Sequence, residues 1–87
     1  VVIEENCRIG RNGAAPLASD VPASVLGLIG QVKAYEEYTI EAAITGDRNK
    51  ALIALLNNPL IHDVRDAKGI LNELLEAHRA YLPAFFQ

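Results

Sequence analysis

Lys33 to Asp47 reads KAYEEYTIEAAITGD, and the reading of this stretch decides the fold. It is the tail of a helix together with its stop. Gly46 can adopt the left-handed conformation that ends a helix, and Asp47 can open the next one at once. Reading back from it, Val21, Val25, Leu28, Val32, Tyr35, Thr39 and Ala42 recur at the spacing of one helix face. Ile29, Ile40, Ala43 and Ile44 widen that stripe, and Lys33, Glu37 and Glu41 occupy the opposite face. The spacing predicts one long helix over 20–46, helical from about Pro22 to Thr45, with Asp20 as its cap and Pro22 near the first helical position. Gly27 and Gly30 cost up to about 1 kcal/mol each relative to Ala inside a helix, which points to close packing against another element or to a local irregularity.

Downstream, 47–58 reads as a second helix with Ala51, Leu52, Leu55 and Leu56 on one stripe, stopped by Asn57-Asn58-Pro59. The loop through His62 leads to Asp63, a cap for a third helix over 63–82, and Asp66 favours its dipole. Ala67, Ile70, Leu71, Leu74, Leu75, His78 and Leu82 form its inward stripe until Pro83 ends it. The tail, 83–87, carries Phe85 and Phe86, which are costly to leave in water and are expected to dock on the helices or on a further partner surface.

Upstream, 1–19 reads as a strand and loop. Val1, Ile3, Cys7 and Ile9 alternate with Glu4, Asn6 and Arg8 in the manner of a half-buried strand, Glu5 being the misfit. Asn12-Gly13 signals a turn, but Ala14 to Val21 reads as a loop and not as a second strand. A strand without a neighbour cannot satisfy its backbone groups, and even a two-stranded hairpin is marginal in water. The expectation is therefore a strand or half-hairpin whose partner lies outside these residues, in a larger protein or in an obligate oligomer. The fold class is α+β, mostly α: one N-terminal strand or half-hairpin followed by three helices.

Composition narrows the function. At 87 residues the chain is a single domain at most, with marginal capacity to bury its own core. Hydrophobic residues at 51% against 22% charged argue against a disordered tail. A net charge of -3, with scattered Lys and Arg, offers no basic field for nucleic acid. No apolar run approaches the roughly 20 residues of a membrane span. The one cysteine, Cys7, cannot form an internal disulfide, so a reducing, cytoplasmic setting is expected. The absence of Met, including at the start, suggests a processed or truncated product.

No complete active site can be assembled from the residues. Glu36, Glu37 and Glu41 look like an acidic cluster, but Lys33 can pair with Glu37, and a solvated helix face explains them. His62 and His78 stand sixteen positions apart with no ligand-spaced companions, so His78 is read as a half-buried helix residue. Cys7, on the apolar side of a strand, reads as an inert core thiol. Gly10-Arg11-Asn12-Gly13 lacks the strand-to-helix step of a phosphate loop and reads as a turn. Tyr35 and Tyr38 face different directions, which makes a stacking platform improbable.

Taken together, CRIGRNGAAPL, VLGLIGQVKAYEEYTIEAAITGD, ALIALLNNPL and ILNELLEAHRAYLPAF resemble, in order and spacing, the C-terminal portion of glycoside hydrolase family 4. Val32 to Glu36 is most similar to the family's 6-phospho-β-glucosidase members. The resemblance implies that 1–87 is a C-terminal fragment of a larger enzyme, with the fold of a lactate/malate dehydrogenase C-terminal domain. It implies an N-terminal Rossmann portion, a phosphorylated disaccharide or glucoside as substrate, and NAD with a divalent metal, manganese, as cofactors. Hydrolysis would proceed by oxidation at C3 of the sugar, proton loss at C2 and elimination, because oxidation acidifies the neighbouring C–H.

The family's metal-binding Cys and His, its catalytic Tyr and its glycine-rich loop lie upstream of the matched region. No catalytic, cofactor-binding or metal-binding residue is therefore carried over to this chain, and Cys7 is not equated with the metal ligand. The local role implied is scaffold, with the Arg11 to Leu17 loop near the substrate pocket and helix one contributing to the contacts of a homo-oligomer. The competing reading is a stand-alone helical interaction or dimerisation module, binding a partner helix or a second copy through Leu28, Ile29, Leu71 and Leu75.

Overall fold

The computed structural model describes residues 2 and 4–87, so Val1 and Ile3 of the expected strand lie outside the described residues. A hairpin comes first: β1 (Cys7–Gly10) pairs antiparallel with β2 (Gly13–Pro16), Cys7 opposite Pro16 and Gly10 opposite Gly13. This corrects the expectation of a lone strand followed by a loop. Arg11 and Asn12 form the turn, and the positive φ it requires falls on Gly13 (101°). Pro16, which has no N–H, sits at the end of the ladder, where that loss is tolerated, and Leu17 N extends the pairing by donating to the Asn6 carbonyl at 2.9 Å. Two small alanines and a proline conceal β2 from a reading based on alternation. All eight strand residues are exposed, so Cys7 and Ile9 (76% exposed) are not on a buried face as expected.

Helix α1 runs Ala23–Thr45. Its N-cap is Pro22, with extended ψ (144°) and no side-chain cap, which corrects the assignment of Asp20. The Pro22 carbonyl instead accepts from Val25 N and Leu26 N, at 3.0 and 2.9 Å. Gly46 ends the helix in the left-handed conformation (φ 70°, ψ 20°), its N–H donating to the Ala42 carbonyl. Asp47 then caps α2 (Arg48–Asn57), its Oδ1 accepting from Asn49 N at 2.8 Å and Lys50 N at 3.1 Å. Asp63 does the same for α3 (Val64–Ala77), accepting from Arg65 N and Asp66 N.

The third helix is shorter than expected. After Ala77, residue His78 leaves the α conformation (φ −107°, ψ 16°), and the chain tightens into 3₁₀ turns at Arg79–Tyr81 and Pro83–Phe86. Pro83 begins the second of these turns, where its fixed φ and missing N–H are harmless. His78 is exposed, contrary to the half-buried position expected of it.

Helix α1 packs on α2, α2 on α3, and the Pro83–Phe86 turn returns to α1. Among the described residues the buried apolar side chains are Ala42, Ala54, Ala67 and Leu75, three of them alanines that allow the helices to approach closely. Others of the expected core, Val32, Tyr35, Leu55 and Leu71 among them, are half-buried, while Val25, Leu28, Ile40 and Ile44 of the α1 stripe are 46%, 49%, 59% and 76% exposed. Gly27 and Gly30 face open space and not a packed neighbour. The radius of gyration is 17.8 Å, against about 12 Å for a compact chain of this length. The helices thus bury one small seam and leave many of their large apolar side chains exposed.

Candidate functional site

A concave feature of the helical part is an open groove of about 250 Å³ between α1, α2 and α3. Tyr35, Thr39, Ala42 and Ala43 form one wall, Ala51, Ala54 and Leu55 another, and Leu71, Leu74 and Leu75 the third, with Leu82 and Phe85 closing it. Tyr35 is the only ionisable side chain in this lining. Such a lining excludes water and accepts apolar groups, but it holds no general acid or base pair and no set of metal ligands.

Phe85 reaches the groove because the C-terminal turn is clamped from outside. Arg48 Nε donates to the Phe85 carbonyl at 3.2 Å. The guanidinium carbons of Arg48 and Arg79 lie 4.8 and 4.3 Å from the centroid of the Phe86 ring, each contact contributing on the order of 0.5–1 kcal/mol. Gly46 is part of the same junction, since a Cβ there would run into the backbone carbonyl of Ala84. The expectation that the aromatic tail docks on the helices is met, and the two arginines supply the means. Sequence reading missed the clamp because Arg48 and Phe86 meet only after the chain has turned twice.

The acidic helix face carries two ion pairs. Lys33 lies 3.8 Å from Glu37, as its spacing predicts, and Lys50 Nζ donates to Glu41 Oε2 at 2.8 Å. The Glu41 hydrogen bond, with the same carboxylate's charge, raises the Lys50 pKa above its ordinary value. That pair was legible in principle: a two-residue stop at Gly46-Asp47 brings the ends of α1 and α2 together. It is structural pairing at a helix junction. Among the described residues no group of three or more His, Cys, Asp or Glu side chains is placed to hold a metal ion.

The hairpin has a different character. Arg8 and Arg11 lie along its strand and turn, and at its base Ser19 Oγ donates to Glu5 Oε1 at 3.0 Å. A shallow depression there is lined by Glu4, Glu5, Asn6, Leu17, Ala18 and Ser19, all exposed. Cys7 is exposed, its Sγ 3.5 Å from the Glu5 carbonyl. Gly10 to Gly13 joins strand to strand, so its backbone amides do not converge as in a strand-to-helix phosphate loop.

Comparison with known proteins supplies what the side chains do not. The model of the family 4 glycosyl hydrolase C-terminal domain matches residues 1–61. A protein of Bacillus subtilis (strain 168) named "Probable 6-phospho-beta-glucosidase" is 49% identical over 85 residues, covering 97% of this chain and 19% of the relative. A 6-phospho-beta-glucosidase of Escherichia coli (strain K12) is 38% identical over 85 residues, covering 95% and 19%. A phospho-alpha-glucosidase of Clostridium acetobutylicum is 37% identical over 82 residues, covering 93% and 18%. The chain thus spans about a fifth of the length of the curated relatives it matches. No helix among the described residues is long and apolar enough to cross a membrane.

Proposed function

The chain belongs to the family 4 glycosyl hydrolases, as their C-terminal domain, and from that membership we propose that it is the scaffold portion of a 6-phospho-β-glucosidase-like enzyme. The parent enzyme hydrolyses a phosphorylated glucoside or disaccharide with the help of NAD and a divalent metal, manganese, and its C-terminal domain is built like that of lactate and malate dehydrogenases. The residues of this chain do not fit either group. The glycine-containing turn joins two strands, and among the described residues no three His, Cys, Asp or Glu side chains are placed to hold a metal ion. Both cofactors and the reacting side chains are therefore assigned to the remainder of the parent, whose N-terminal portion takes a Rossmann fold. This chain backs the substrate domain, with the Arg11 to Leu17 arm of the hairpin towards the sugar site.

One observation carries the reading. A chain whose three helices bury only a narrow alanine-rich seam and leave Val25, Leu28 and Leu74 about half exposed has the surface of an internal part, not of a finished enzyme. The test has two arms. The 87-residue chain, given NAD, manganese and an aryl 6-phospho-β-glucoside, is expected to give no turnover. The same chain, exchanged for the matching stretch of the Bacillus subtilis relative, is expected to give an active enzyme. Turnover by the chain alone, or a folded but inactive chimera, contradicts the proposal.

A further inference from the structure

Six asparagines stand in the chain, and Asn12 alone is followed by glycine. The successor matters because its amide nitrogen is the group that can attack an asparagine side chain, and glycine places no Cβ in the way. At Asn58 the successor is Pro59, which has no N–H to give up. Asn49, Asn57 and Asn72 lie in α2 and α3. The amide after each of the first two is already held, Lys50 N donating to Asp47 Oδ1 at 3.1 Å and Asn58 N to the Leu55 carbonyl at 3.0 Å. Asn6 is followed by Cys7, and its own carbonyl accepts from Leu17 N at 2.9 Å.

Asn12 sits with Arg11 in the exposed tip of the hairpin. Hydrogen-bonded pairs alternate along an antiparallel ladder, and Asn6 opposite Leu17 is such a pair, so Gly10 opposite Gly13 is the last hydrogen-bonded rung. All eight strand residues are exposed, so freeing the Gly13 amide costs one terminal rung and uncovers no buried side chain. Residues 7–18 contain no Asp or Glu, while Arg8 and Arg11 lie beside the tip, and their positive charge favours the deprotonated, nucleophilic form of the amide.

We propose that Asn12 is a site of spontaneous deamidation, a modification that dismantles the hairpin's own turn. Hydroxide takes the proton of the Gly13 N–H, and the nitrogen attacks Cγ of Asn12. The N–Cγ bond forms, the Cγ–Nδ2 bond breaks, and the amide nitrogen leaves as ammonia after taking a proton from water. Water then opens the five-membered imide at either carbonyl. Breaking the new N–Cγ bond leaves an aspartate at position 12, and breaking the bond from the same nitrogen to the main-chain carbonyl carbon leaves isoaspartate, whose backbone runs through the former side chain. Isoaspartate lengthens the tip by one backbone carbon and so disrupts the Gly10–Gly13 rung, and both products set a new carboxylate next to Arg11. Nothing in this chemistry depends on the role of the chain in a parent enzyme.

The test ages the 87-residue chain, and its chimera with the Bacillus subtilis relative, at mildly alkaline pH, and digests them at acid pH. Peptide mass spectrometry scores the exchange of NH2 for OH at each asparagine. In both proteins Asn12 is expected to react about tenfold or more faster than Asn49, Asn57 and Asn72, because those three react only through opening of a helix, and its rate rises with pH. An isoaspartyl methyltransferase given labelled S-adenosylmethionine is expected to place its label at position 12 of the aged proteins. Gly13→Ala slows the reaction at Asn12 by about tenfold or more, since a Cβ crowds the attacking nitrogen, and it does so whether or not the variant hairpin stays formed. Asn12→Gln abolishes the reaction at this position, because attack would have to close a larger ring. An Asn12 that reacts no faster than the helical asparagines in either protein overturns the inference, and so does a rate at Asn12 that Gly13→Ala leaves unchanged.

Discussion

The two halves of α1 share one backbone and one stripe of apolar residues, yet they live in different surroundings. From Lys33 onward the helix lies against α2 and the C-terminal turn, Ala42 is buried, and charge is paired at Lys33–Glu37 and Glu41–Lys50. Before Lys33 it carries no charge, and its residues from Ala23 to Leu28 are all exposed. The difference teaches that an apolar stripe reports the need for cover without reporting where the cover comes from. In the second half it comes from this chain, and in the first half the residues from Ala23 to Leu28 have none among the described residues.

Substitutions should respond to that divide. The largest effect is expected at Gly46→Ala, where a left-handed backbone and collision with the Ala84 carbonyl combine to cost roughly 2–4 kcal/mol. Thermal unfolding of the isolated chain measures it, and a neutral result would mean that the clamped corner is not where stability lies. Leu75→Ala removes the one large buried side chain among the described residues and is expected to cost about 2–3 kcal/mol in the same measurement. Asp63→Ala, which leaves Arg65 N and Asp66 N without their acceptor, should cost about 1 kcal/mol.

On the other side of the divide, Leu26→Ala in the isolated chain is expected to stay within about 0.5 kcal/mol of wild type, although the residue is large and apolar. A cost comparable to that of Leu75→Ala would erase the contrast. The smallest effect concerns pH. Because Glu41 raises the Lys50 pKa above its ordinary 10.5, the stability gained from this pair is fully present below that value and lost as pH rises through the folded pKa. A Glu41→Gln variant should therefore differ slightly from wild type near neutrality and converge with it in strong alkali.

Much of this was open to reading from the residues. Gly46 and Asp47, Asp63, and Asn57-Asn58-Pro59 mark helix ends by local chemistry, and local chemistry does not depend on the rest of the molecule. The family resemblance, carried by motif order, agrees with the family model and the relatives. Two kinds of feature were hidden. Residues 13–16, GAAP, form a strand although alanine and proline carry no alternating signal, because the turn at Arg11-Asn12 delivers them to β1. Burial was overestimated at Cys7, His78 and the first half of α1, because periodicity shows which residues share a face and cannot show whether anything is placed against it. The candidate site failed to appear in the sequence because the groove is lined by apolar side chains with Tyr35 as its one ionisable group; on the proposed scaffold role, the reacting groups belong to the remainder of the parent.

Hydrogen exchange on the dilute, monomeric 87-residue chain tests the account most directly. Amides of α1 from Ala34 to Thr45, of α2 and of α3 are predicted to be protected together. Amides of the hairpin and of 24–31 are predicted to exchange far faster, as fraying elements without tertiary cover do. Equal protection along the whole of α1 would contradict it, since the first half of the helix would then be stable without the surface that the account requires.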